Sequence, residues 1–195
     1  MRRRELVKLS KIKLPDEYKR ATCISAQIYG TSGNYVDTLY TPNQDTRVCA
    51  KMCLTKANSH STAYGSESPR FSLLKTRADY NDMQKAEFSE GLPLGTPFKV
   101  DHNKNNITLN YLGTVKITDY GTFTCSNPLY IFILNGYIQA STQFVGSLYY
   151  FKIYENDVPI RNFIPCIRIS DGCIGLYDLV SQNFHEAVGD FTYSE

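Results

Sequence analysis

The feature that most constrains this chain is its punctuation. Short runs of alternating apolar and polar residues recur at spacings of roughly a dozen residues or less, each closed by Gly, Asn, Asp or Pro. Ile24, Ala26 and Ile28 alternate with Cys23, Ser25 and Gln27; Val48, Ala50 and Met52 alternate with Cys49, Lys51 and Cys53. Leu148, Tyr150, Lys152 and Tyr154 alternate with Tyr149, Phe151 and Ile153. A period of two is the signature of a half-buried strand. Strand-like runs also cover 35–40, 70–75, 98–102, 107–111, 114–118, 159–169 and 174–179. The stretches 103–106, 119–121, 155–157 and 171–172 are rich in Asn, Asp and Gly and predict turns. The continuous apolar run Leu129–Leu134, closed by Asn135-Gly136, predicts a central strand buried on both faces. Residues 56–69 are polar and small and predict a loop, and 78–95 is mixed. No long amphipathic helical stretch and no repeat interrupts the pattern, so the expectation is an all-β sandwich or barrel.

Composition agrees. Fifteen Tyr and ten Phe suit a pleated, half-buried surface. With 195 residues, 42% of them hydrophobic, the chain is long enough for one domain with its own core. The Leu129–Leu134 run falls far short of the ~20 apolar residues of a spanning helix, so no membrane insertion is expected.

The net charge of +2 conceals an asymmetry. Residues 1–20 hold eight basic and three acidic side chains, a balance of +5, and residues 21–195 hold 13 basic and 16 acidic, a balance of −3. The division is therefore a basic N-terminal arm, 1–20, and one domain, 21–195. Arg2, Arg3, Arg4, Lys8, Lys11 and Lys13 are the candidate anchoring residues. The arm suits a solvated terminus or an anchor on an acidic protein partner. Nucleic acid is disfavoured because no aromatics interleave the cations. Glu5, Lys8, Lys11 and Lys13 break any apolar signal segment, so synthesis and folding in the cytoplasm are expected.

Six cysteines lack zinc-ligand spacing, and Cys49 and Cys53 stand about 13 Å apart at strand rise, too far for a disulfide. They are expected as reduced, buried small hydrophobes, and no metal centre is expected.

Against this background the C-terminal third carries a distinctive string. It runs Leu148-Tyr149-Tyr150-Phe151-Lys152-Ile153-Tyr154, then Arg161-Asn162-Phe163-Ile164-Pro165-Cys166, then Ser170-Asp171-Gly172-Cys173-Ile174-Gly175-Leu176-Tyr177-Asp178-Leu179-Val180. Upstream, Tyr35-Val36-Asp37-Thr38, Pro42-Asn43-Gln44-Asp45-Thr46-Arg47, Ala78-Asp79-Tyr80-Asn81-Asp82 and Thr122-Phe123-Thr124-Cys125 accompany it. Together these resemble the concanavalin A-like (LamG/pentraxin-like) jelly-roll domains of bacteriophages and gut-bacterial surface proteins, over roughly residues 21–190. Asn156-Asp157 departs from the Asn-Gly turn usual in such domains. The resemblance implies an antiparallel jelly-roll β-sandwich. It also implies packing of two sheets through Tyr150 and the Phe151–Ile153 face, and a structural Arg161–Asp178 ion pair.

Three chemistries were weighed. A retaining glycosidase needs two carboxylates about 5–5.5 Å apart, and the nearest sequence match, Glu155-x-Asp157, lacks the third acidic position and falls in a turn. No catalytic residues are expected. Calcium would look to Asp79, Asn81 and Asp82, which have no EF-hand spacing. Glycan binding needs an aromatic platform with amide and carboxylate partners. Tyr80, Asn81 and Asp82, and Asn135 with Tyr137, are the candidates; Tyr64 and Tyr120 are expected in loops. The expectation is a non-enzymatic phage virion protein, a capsid decoration, head-fibre or tail-associated subunit. It would be homo-oligomeric, held to other virion proteins by its arm, and would expose a domain toward host-surface polysaccharide. The alternative is a bacterial cell-surface adhesion module.

Overall fold

The alternating runs are strands. The computed structural model describes residues 13–27, 33–56, 58, 60–82, 84–117, 121–136 and 142–195. In chain order the strands are β1 (Tyr18–Arg20), β2 (Cys23–Ala26), β3 (Tyr35–Asp37), β4 (Thr46–Lys56), β5 (Thr62–Ser66) and β6 (Phe71–Leu74). They continue with β7 (Arg77–Tyr80), β8 (Gln84–Glu87), β9 (Phe98–Asn103), β10 (Asn106–Leu109), β11 (Gly113–Lys116) and β12 (Tyr130–Ile131). The last are β13 (Leu134–Asn135), β14 (Val145–Glu155), β15 (Val158–Arg168), β16 (Ile174–Asp178), β17 (Asn183–Val188) and β18 (Phe191–Ser194). The described residues contain no α-helix, and hence none long and apolar enough to cross a membrane.

The strands pair into one antiparallel, nearly closed sheet, with β13 parallel to β5. From one edge the order is β11, β10, β9, β4, β14, β15, β16, β17. It goes on through β3, β12, β5, β6, β7 and β8. β17 is the joint: Asn183–Glu186 pairs with β16, and Ala187 and Val188 pair with β3. Beyond it the sheet curls back, so that inner side chains of the two halves meet. The Tyr64 ring packs edge-on against Phe151 at 5.3 Å, and Phe71 stacks on His102 at 4.3 Å. Phe71, Phe98, Phe132, Phe144, Phe151 and Phe163 are all fully buried. Each such ring contributes roughly 1.5–3 kcal/mol over its exposed state. His102 is fully enclosed, with Tyr64 Oη 3.2 Å from its Nδ1, and burial pushes its pKa down to about 3, so the ring is neutral.

Several expectations change. Tyr18–Arg20, assigned to the arm, is β1, and Lys19 pairs with Ile167 in the fork where β14 and β15 diverge. Residues 1–12 of the arm, with Arg2, Arg3, Arg4, Lys8 and Lys11, lie outside the described residues; Lys13 is exposed. The segment 56–69 is not all loop, because residues 62–66 form β5, every one of them buried. Leu129–Leu134 is not one strand: the backbone turns at Phe132, whose φ is +76°, and only β12 and β13 remain on either side.

The faces of β14 also differ from strict alternation. A bulge between Leu148 and Tyr150 puts Leu148 inside with Phe151 and Ile153, and turns Tyr149 and Tyr150 outward together. Tyr150 therefore does not pack between sheet faces. Arg161 does approach the buried Asp178, at 3.7 Å, but its shorter bonds go to the carbonyls of Thr38, Leu39 and Ile160 at 2.9–3.0 Å. Gly175 is required by close approach, since a Cβ there would stand 2.3 Å from the His185 carbonyl oxygen.

Candidate functional site

The broad surface that remains open is the outer face of β10, β9, β4 and β14. It exists because β4 alternates over residues 46–52: Val48, Ala50 and Met52 point into the core, and Arg47, Cys49 and Lys51 point out. On β9, Phe98, Val100 and His102 point in, and Lys99, Asp101 and Asn103 point out. Register then aligns the outward residues into rows. Asp101 faces Cys49 and Thr108; Lys99 faces Lys51; Lys51 faces Tyr150; Cys49 faces Lys152; and Arg47 faces Tyr154.

Arg47 organises one end. Its Nε and Nη2 grip the Asp101 carboxylate at 2.8 and 2.6 Å, and Nη1 reaches Asp157 at 3.2 Å. The guanidinium also lies 5.6 Å from the Tyr154 ring centroid. Bidentate pairing of this kind is the strong form of a charge-assisted bond, and it fixes Asp101. Lys51 Nζ sits over the Tyr149 ring at 4.5 Å, and Lys152 Nζ over Tyr150 at 5.7 Å. Burial raises the pKa values of Tyr149, Tyr150 and Tyr154, so these phenols remain neutral donors.

Between these rows lies a shallow cleft of about 230 Å³, lined by Cys49, Lys99, Asp101, Thr108, Asn110 and Tyr150 together with Val100. Tyr150 forms an aromatic wall, and the other side chains supply an ammonium, a carboxylate, an amide and a hydroxyl. The Cys49 thiol is held in its protonated form. Burial, reinforced by the charge of Asp101, pushes its pKa up to about 11, so at neutral pH it stays a thiol. Asp101 is occupied by Arg47. The cleft thus combines a protonated thiol and a paired carboxylate with a free-standing aromatic wall, an amide and a hydroxyl.

The residues expected from sequence fall elsewhere. Tyr80 is buried: its ring meets Phe123 edge-on at 4.9 Å and its hydroxyl donates to the Gln44 carbonyl at 2.9 Å. It offers no face to a sugar, which corrects its assignment as a platform. Tyr64, expected in a loop, is fully buried in β5. Asn81 and Asp82, both at φ +56°, make the β7–β8 turn, and Asp82 Oδ1 accepts the Arg70 backbone N–H. Asn135 donates through Nδ2 to the Pro128 carbonyl at 2.9 Å. Asp82 and Asn135 do come to one end of the sheet, joined through residues 67–70, because the Glu67 N–H donates to the Asn135 carbonyl. Asp82 Oδ1 and the Asn135 amide and carbonyl help hold that end together. Tyr137 and Tyr120 lie outside the described residues.

The oxygen cluster considered for calcium includes a carboxylate that is engaged elsewhere. Asp79 is buried, accepts from Ser72 Oγ at 2.8 Å and pairs with Arg77 Nε at 3.0 Å. Among the described residues no three His, Cys, Asp or Glu side chains converge to hold a metal ion.

The cleft is absent from the sequence expectations. The alternation of Cys49, Lys51 and Cys53 against Val48, Ala50 and Met52 marks two faces of a strand, and only the register with β9 and β14 assembles one of them into a site. No family model, no curated protein and no solved structure matches this chain.

Proposed function

We propose that the chain is a non-enzymatic recognition protein of jelly-roll sandwich architecture, displayed on a phage virion, that binds surface polysaccharide through the outer face of β9, β4 and β14. The observation that carries this reading is the cleft itself. An aromatic wall, Tyr150, stands beside the hydrogen-bonding side chains of Asp101, Thr108 and Asn110. Sugars present this mixture in reverse, with an apolar C–H face and a rim of hydroxyls. The antiparallel pairing order and the apposed inner faces support the sandwich architecture. The C-terminal string and the basic arm support the virion setting.

The raised pKa of Cys49 and the engagement of Asp101 by Arg47 favour binding over catalysis. The test is a printed polysaccharide array probed with the whole folded chain. Binding to one or more surface polysaccharides is expected; silence across the array would oppose the recognition role. Co-purification with intact particles would place the chain on a virion, and its presence in a bacterial envelope fraction instead would favour a cell-surface adhesin.

A further inference from the structure

The recognition face holds a charge arrangement that a neutral sugar would leave unexplained. Lys51 and Lys99 are direct cross-strand partners on β4 and β9, both on the outer face. Like charges placed opposite each other on neighbouring strands, roughly 5 Å apart at the backbone, destabilise a sheet. Lys152 lies on the next strand, opposite Cys49, two residue pairs further along and on the same face. Among the described residues none of Lys51, Lys99 and Lys152 forms an ion pair. The two nearby carboxylates, Asp101 and Asp157, are both taken by Arg47. Three lysines outside any ion pair thus share one outer face of a domain whose residues 21–195 are net negative, at −3. Two of them are held over tyrosine rings, Lys51 over Tyr149 and Lys152 over Tyr150, so the cations and the aromatic surface form one patch.

We infer that this cleft takes a carboxylate-bearing sugar, a hexuronate unit of an acidic polysaccharide. The carboxylate meets Lys99, with Lys51 beside it on the neighbouring strand, the ring face lies against Tyr150, and hydroxyls bond Asp101, Thr108 and Asn110. The inference rests on the recognition role proposed above. Size agrees, since a cleft of about 230 Å³ suits one sugar ring and is far smaller than the groove of a protein partner. A single-stranded nucleic acid would also meet cations and aromatics. The fixed Asp101 carboxylate inside the cleft, however, repels a phosphate backbone while serving a sugar hydroxyl.

The experiment presents polygalacturonate, alginate and hyaluronan, each beside its carboxyl-reduced counterpart, together with oligothymidylate, to the whole chain and to Lys99→Gln. At least one acidic polymer should bind about tenfold or more tightly than its reduced form, the effect of one charge-assisted contact. Lys99→Gln should remove that advantage, so that the acidic and reduced forms bind alike, with unaltered circular dichroism showing that the variant folds. Equal binding of acidic and reduced forms would overturn the inference and leave polysaccharide recognition standing. Tighter binding of oligothymidylate than of any acidic glycan would replace the sugar by nucleic acid. Failure of every polysaccharide, acidic and reduced, would remove the recognition role and this inference with it.

Discussion

The half of the sheet built on β9, β4 and β14 and the half built on β5, β6 and β7 share one core but meet solvent in opposite ways. Along β4, residues 46–52 alternate between buried and half-exposed, so one complete face is left free. Every residue of β5 and β6 is buried, so those strands are closed on both sides. The open half can carry a row of tyrosines and cations at the fixed spacing of neighbouring strands. The closed half must spend its polar groups internally, as Asp79 does on Ser72 and Arg77. The contrast explains why Tyr80 and Asn135, expected to meet a sugar, serve the packing instead, and why the outer face is the surface proposed for a ligand.

The largest effect should come from the core that joins the halves. Phe151→Ala, on the open half, and Phe71→Ala, on the closed half, should each cost about 3–5 kcal/mol in urea unfolding. Both should keep a single transition. Two transitions in either variant would mean that the halves unfold separately and that the shared core is misassigned.

Acid should act at the same junction. His102 is neutral and buried with a pKa near 3, against an ordinary value of 6.5. Above 6.5 neither state gains a proton at this ring. Below it the unfolded chain binds one that the folded chain refuses, so stability contributed by His102 falls as pH drops from about 6.5 towards 3. Unfolding free energies measured across that window should decline more steeply for the natural chain than for His102→Gln. Parallel slopes would mean that the ring is protonated in place.

Tyr64→Phe should cost less, about 1–3 kcal/mol, by leaving His102 Nδ1 without its 3.2 Å partner. Calorimetry should show the melting point lowered without loss of glycan binding, because Tyr64 belongs to the closed half. Smallest of all, Lys51→Gln should stabilise the fold by about 0.2–1 kcal/mol, through relief of the repulsion with Lys99. A destabilised Lys51→Gln would mean that the lysine's position over Tyr149 outweighs that repulsion.

The same contrast sets what could be read from sequence. The long strands of the open half were legible because one buried face imposes a period of two: 47–54 became part of β4, and 159–169 became β15 with a shift of one residue at each end. The closed half was not. Residues 62–66 contain Thr, Ala, Gly and Ser with a single aromatic, and read as loop. They are small because space demands it; a Cβ at Gly65 would stand 2.5 Å from Leu134 Cδ1. The run Leu129–Leu134 misled in the opposite sense. Five of its six residues are buried, and burial keeps them apolar whatever the backbone does, so the left-handed turn at Phe132 leaves no mark in the pattern. The bulge beside Leu148 likewise follows from pairing with β4, which composition does not encode.

The most direct test of the open face as the recognition surface compares two variants in one binding measurement. Tyr150→Ala removes the aromatic wall of the cleft, and Asp82→Asn alters the β7–β8 turn at the closed end. Isothermal titration with whichever polysaccharide the array identifies should show binding lost or weakened about tenfold or more in Tyr150→Ala and unchanged in Asp82→Asn. Binding intact in Tyr150→Ala and lost in a folded Asp82→Asn would contradict the account.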